Sequence, residues 1–183
     1  MKDRIMDVVE NLCAQIGPLS LKHTNVAKEL GIKPPSLYAH FPSMAAILAA
    51  TTKRALKEIS ITYDHIDHTC SPVETLNIIQ SRQIDLLITR PGIARLVLFD
   101  LCQPGGIETI DWSTQEIIQI TEKERTLFEK SIHLKLISEQ DFEFWFSTRM
   151  GALYIALSYE WLKSPKINIE RVIALKRYLQ ITS

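Results

Sequence analysis

The stretch from Leu21 to Ile47, LKHTNVAKELGIKPPSLYAHFPSMAAI, constrains this chain more than any other. Val26, Ala27 and Leu30 are apolar at helical spacing, which predicts a helix over Thr24–Leu30 with one buried stripe. Gly31 stands where a helix ends on a left-handed residue, and Ile32 returns the chain to the core. Pro34 and Pro35 cannot continue that helix, but proline suits the first turn of a new one, where no amide hydrogen is needed. Leu37 and Phe41, four apart, give the second helix its inward face and leave Ser36, Tyr38, Ala39 and His40 outward. Two short helices meeting at a tight turn make a helix-turn-helix, with Pro34–Phe41 as the helix that would enter a major groove.

The run from Ala27 to Phe41, A-K-E-L-G-I-x-P-P-S-L-Y-A-H-F, closely resembles the DNA-binding half of the TetR family of bacterial transcriptional regulators. The L-Y-x-H-F core of that family is present as Leu37, Tyr38, His40 and Phe41. The resemblance implies an all-α protein of about nine helices. Residues 1–47 would be a three-helix helix-turn-helix DNA-binding domain, and 48–183 a larger helical domain for ligand binding and dimerisation. It also implies a regulator, most simply a repressor, that leaves its operator when a small molecule binds.

Charge is distributed as such a division requires. Met1–Lys57 holds 8 of the 21 Lys and Arg but only 4 of the 21 Asp and Glu, so a basic head precedes an acidic remainder at zero net charge. Cys13, Cys70 and Cys102 are odd in number and scattered, without disulfide or zinc spacing. Met1–Ile16 is amphipathic and carries Asp3, Asp7 and Glu10, unlike a signal peptide, and a cytoplasmic protein is expected.

The first helix is expected over Asp3–Ile16, with Ile5, Val8 or Val9, Leu12 and Ile16 on one face and Gly17-Pro18 as its stop. Phosphate contacts are expected from Lys22, from Lys33 at the entrance of the recognition helix, and from Tyr38 and His40. For Tyr38 and His40 a supporting role in the motif stands beside that expectation. His23 and Thr24 are placed to reach a phosphate or a base edge. Pro35 and Ala39 can touch a thymine methyl, and Ser36 can hydrogen-bond either way. The helix offers no Arg, Asn or Gln, so DNA shape and half-site spacing must carry much of the specificity. Ser43 should cap the fourth helix, leaving free amides behind it for a phosphate. Relatives typically have Lys where this chain has Met44.

The fourth helix is expected to run to about Thr62, able to transmit movement between the domains. A loop, YDHIDHTCS, follows over Tyr63–Ser71. Its Asp64, His65, Asp67, His68 and Cys70 match no standard zinc pattern, and it reads as a solvated connector; no metal or cofactor is expected. Ser71-Pro72-Val73-Glu74 is a capping box that opens the next helix. Pro91-Gly92 breaks that helix, Ile93–Leu101 is short and apolar, and a loop should reach Trp112. Ser113 with Glu116 reads as a second capping box, opening a helix to about Leu136. Helices over 139–163 and 169–181 complete the series. The first of these is apolar all round, from Phe142 to Trp161, so a partner subunit is expected to cover part of it. The resemblance makes these last two helices the interface of a homodimer, which would suit a palindromic operator.

Candidate lining for a ligand cavity is Phe99, Cys102, Trp112, Phe128, Trp145, Arg149 and Met150, each of which also reads as ordinary core. Arg149, interrupting an apolar stretch, fits a structural ion pair with Asp100, Asp141 or a carboxylate of a partner chain better than an anionic ligand. No catalytic constellation is present: the chain has no Gly-rich phosphate loop, no G-x-S-x-G and no H-E-x-x-H. The competing expectation is an all-helical ligand- or partner-binding protein whose head binds DNA weakly or not at all.

Overall fold

The computed structural model describes residues 1–66, 69–101 and 110–138, with the helix backbone alone at 101, 110–118 and 121. Among the described residues there are seven α-helices and no strand: α1 (Lys2–Ile16), α2 (His23–Leu30), α3 (Pro35–Tyr38), α4 (Met44–Ile61), α5 (Pro72–Thr89), α6 (Pro91–Leu101) and α7 (Ile110–His133). A 3-10 turn, Pro18–Ser20, joins α1 to α2. The two helices expected over 139–163 and 169–181 lie outside the described residues. None of the described helices is long and apolar enough to cross a membrane.

The chain divides into two compact units, one of Met1–Glu58 with Arg90–Glu116 and the other of Ile59–Thr89 with Ile117–Ser183. The first grows from the stripe on α1. Ile5, Val9, Leu12 and Cys13 recur on one side of that helix and are buried. Ile16, expected on the same face, is instead largely exposed, because the chain turns away at Gly17. Gly17 has φ 79° and ψ 156°, a region open only to glycine, and its amide donates to the Cys13 carbonyl. The α1 stripe packs on Leu21, Val26, Ala27, Leu30, Leu37, Phe41 and Ile47, which closes a core around the two short helices.

That core has one further member, Leu96 of α6. Helix α6 lies directly on α1. The approach is so close that a Cβ at Gly92 would overlap the Glu10 carbonyl oxygen and sit 2.8 Å from the Glu10 Cγ. Only glycine fits there. Burial also raises the Cys13 thiol to about 12, helped by the nearby Glu10 carboxylate and opposed by Arg95, so this thiol is inert at neutral pH.

Glu10 ties the same unit together electrostatically. Its side chain is 8% exposed, yet it carries a carboxylate. Arg90, at the start of α6, grips both oxygens, with Nε to Oε1 at 2.8 Å and Nη2 to Oε2 at 2.7 Å. Arg54 of α4 reaches Oε2 at 3.4 Å and Asp7 at 2.7 Å. Glu58 adds a longer contact to Arg90 at 3.4 Å. The hydrogen bonds to Glu10 hold the Arg90 guanidinium above its ordinary value.

The second unit holds α5 and most of α7. Leu76, Ile79, Ile84 and Leu87 of α5 are buried, as is Phe128 of α7. Ser71 caps α5 as its sequence requires: its Oγ accepts the Glu74 amide at 3.2 Å, and Glu74 Oε2 accepts the Ser71 amide at 2.8 Å. Those bonds hold the Glu74 carboxyl below the ordinary range. The second helix start expected from a capping box falls elsewhere. Helix α7 starts at Ile110, inside the segment expected to be loop, so Ser113 lies within the helix and not at its start. Its far end comes at His133, three residues before the expected Leu136. There Lys135 takes a left-handed φ of 58°, its amide bonds to the Ile132 carbonyl, and the Leu136 amide to that of Ser131.

Replacing Glu10 by Ala would leave two arginines facing each other. The expected loss is about 2 kcal/mol from the first unit, below the roughly 3–5 kcal/mol of a fully buried pair because Arg90 keeps partial contact with water. Urea unfolding followed by circular dichroism checks this.

Candidate nucleic-acid interface

The turn between α2 and α3 is built as its sequence specifies. Gly31, with φ 68°, sends its amide to the Lys28 carbonyl at 3.1 Å, and the Ile32 amide returns to Ala27 at 3.0 Å. This pair of bonds closes the helix, and Ile32 packs against the core immediately afterwards. The backbone is helical already at Pro34, where φ is −51° and ψ −38°. The recognition helix is shorter than the expected Pro34–Phe41. Regular α-helix covers only Pro35–Tyr38, and Ala39-His40 form a turn in which the amides of His40 and Phe41 both reach back to the Leu37 carbonyl. Leu37 and Phe41 are buried, so the segment is pinned at both ends by the side chains that the spacing marked.

Helix α2 begins at His23, one residue earlier than expected. The residue that fixes its start was not singled out in the sequence: Asn25 Oδ1 accepts the Lys22 amide at 2.9 Å. An amide side chain three residues after the cap position was the available signal. His23 is half-buried beside Tyr38, with ring centroids 5.1 Å apart. Its Nε2 is covered and has no hydrogen-bond partner among the described residues. Tyr38 remains 51% exposed, so it both braces α2 and offers its hydroxyl outward.

Lys22, Thr24, Lys33, Pro35, Ser36, Ala39 and Ser43 are all exposed, and His40 is half-buried. Ser43 caps α4: its Oγ accepts the Ala46 amide at 3.1 Å. The amides that precede Ala46 in the first turn have no intrahelical acceptor, and the helix dipole makes that end favourable to an anion. On the other side of the motif, Lys2 Nζ stands 5.6 Å from the centre of the Phe41 ring.

Of the residues expected to line a ligand cavity, Phe99 is half-buried on α6 and Phe128 buried on α7. Cys102, Trp145, Arg149, Met150 and the side chain of Trp112 lie outside the described residues.

A short exposed helix, held rigidly on a small apolar core and flanked by lysines, defines the helix-turn-helix class of DNA-binding regulators. A family model described as bacterial regulatory proteins, tetR family, matches residues 5–51. The matched residues run from α1 through the helix-turn-helix into the start of α4. The fold of the chain is also that of solved regulators. It is similar to the ketosteroid transcriptional regulator KstR2 of Mycobacterium tuberculosis, with TM-score 0.79 and 14% identity over 97% of this chain and 90% of that one. It is similar to the TetR family regulator PfmR from Thermus thermophilus, with TM-score 0.76 and 17% identity over 97% of each chain. It is similar too to the regulator FadR from Bacillus subtilis in complex with stearoyl-CoA, with TM-score 0.76 and 17% identity over 98% and 96%. No curated protein matches the chain.

If Lys22 and Lys33 hold phosphates, changing either to Ala weakens DNA binding several-fold on every sequence tested. Each change also lowers the salt slope by about 1, which fluorescence anisotropy over a salt series reads directly.

Proposed function

We propose that this chain is a transcriptional regulator that binds operator DNA through residues 1–47 and represses transcription until a small molecule releases it. The observation that carries the reading is the exposed face from Lys22 to Ser43. Its apolar residues are spent on the core, while its hydroxyls, lysines, aromatic tip and helix terminus are turned outward. That inventory suits a phosphate backbone and offers nothing to a reacting bond. Lys22, Lys33 and Ser43 hold phosphates. Thr24, Pro35, Ser36 and Ala39 meet base edges, and Tyr38 and His40 steady the rim. With no Arg, Asn or Gln on the recognition helix, sequence discrimination falls largely on methyl contacts, DNA shape and the spacing of two half-sites.

Residues 48–183 would carry control and dimerisation. The all-round apolar helix over 139–163 and the amphipathic one after it provide the surface for a second copy. A two-fold dimer places two recognition helices on half-sites about 34–36 Å apart. The small-molecule part of the reading is supported by the fold's likeness to a ketosteroid regulator and to a regulator solved with stearoyl-CoA.

A second reading, a helical ligand- or partner-binding protein with a weakened head, is favoured by the plain recognition helix and by Met44. The latter replaces the lysine typical of relatives with a thioether that packs on the core. Binding of the purified protein to the DNA upstream of its own coding region, measured over a salt series, separates the two. Tight, selective binding that weakens steeply with salt is expected. Weak, unselective binding there, together with no enrichment from a random-sequence pool, would replace the first reading with the second.

A further inference from the structure

The second compact unit contains a cavity of about 640 Å³; of the expected ligand residues that the structure describes, neither Phe99 nor Phe128 lines it. Its size is that of a small-molecule site. One wall is the loop that follows α4, and Arg82 of α5 holds that loop in place. The Arg82 guanidinium donates to the carbonyls of Thr62 at 3.2 Å, Asp64 at 2.6 Å and His65 at 3.5 Å. These bonds satisfy carbonyls of the loop just past α4, where His65 takes a left-handed φ of 55°. The wall is therefore formed before any ligand arrives.

The lining divides by chemistry. Ile66, Pro72, Ile79 and Leu127 supply apolar surface, with Ile79 only 1% exposed. Lys123 and Lys130, both exposed, stand at the rim. They are seven residues apart on α7, two helical turns, so they share one face roughly 10 Å apart along the axis. Lys123 Nζ lies 5.7 Å from the centre of the Tyr63 ring. That ring is fixed by its hydroxyl, which is hydrogen-bonded to Glu124 and accepts from Gln83 at 3.0 Å. Neither lysine forms an ion pair among the described residues. Among the described lining residues Asp64 is the one carboxylate beside the two lysines. Asp64, His65 and Cys70, three of the five metal-ligand types that the sequence groups in this loop, lie in the lining, and Asp67 and His68 lie outside the described residues.

We propose that this cavity binds an organic anion with an apolar body. The carboxylate or phosphate head would sit at the rim with Lys123 and Lys130, and the body would lie against Ile79, Leu127 and Ile66. Lysine heads act as point charges on flexible stems, so the site selects for charge and apolar length more than for head shape. This proposal rests on the reading that the helical unit receives a small molecule, but it is tested without DNA.

The test is calorimetric titration of the full chain with decanoate, decyl phosphate and neutral 1-decanol, repeated on the Lys123→Gln/Lys130→Gln double variant. Both substitutions are at exposed positions, and an unchanged melting temperature shows that the variant is folded. The expected result is binding of at least one anion to the native chain, weakened tenfold or more in the variant, with 1-decanol affinity the same in both. Added salt should weaken the anion and spare the alcohol. Anion affinity unchanged by the double substitution, or no binding of either anion by the native chain, overturns the proposal. DNA binding by the same preparation, measured separately, distinguishes either failure from failure of the regulator reading.

Discussion

The grip of Arg90 on Glu10 is the constraint on which the first half of this structure depends. A carboxylate at 8% exposure is a poor choice for an apolar stripe unless something compensates it. Two arginines do, one from α4 and one from the entrance to α6. Because Arg90 bonds both oxygens, it fixes the direction of the chain as well as its position. Gly92 then lets α6 settle on the α1 backbone, and Leu96 enters the core that also holds Leu37 and Phe41. The helix after α5 thus contributes to the body that presents the recognition helix. Any change reaching α6 bears on that body through a charge pair, a backbone contact and one shared leucine.

Sequence reasoning reached the motif because its signals are local. Gly31 needs a left-handed backbone, two prolines open the next helix, and Leu37 and Phe41 sit four apart; each constraint acts within a few residues. Ser71 and Glu74 are equally local, and their capping box forms as written. Ser113 and Glu116 carry the same pattern and do not start a helix, because α7 begins three residues earlier. A capping box marks a favourable start, not an obligatory one. What the sequence left hidden is pairing over distance. Glu10, Arg54 and Arg90 are separated by 44 and 80 positions from Glu10 outward, and nothing local joins them. Glu10 did leave a trace, an acid beside Val9 and ahead of Leu12 and Cys13 on the buried side of α1. The cavity of the second unit was hidden for the same reason. Its lysines stand on α7, more than 50 positions from the loop that forms the facing wall.

The division of labour in the recognition segment follows from its shortness. About one turn of helix cannot bury two faces, so its buried side chains are Leu37 and, just past its end, Phe41, while Pro35, Ser36, Tyr38 and Ala39 are exposed. Under the proposed function, such a plain outer face would read DNA mainly through methyl groups and shape, with the lysines on either side setting affinity. His23 and Tyr38 link the two helices of the motif, so the start of α2 and the tip of α3 are held as a single surface.

The most direct test of the central claim, that α6 is structurally part of the head, is native-state amide exchange across a denaturant series. Val9 and Leu12 report on α1, and Leu96 and Val97 on α6. The account predicts that these amides open with one shared free energy and the same denaturant dependence. Amides of α6 that open at a clearly lower free energy, independently of α1, would contradict it.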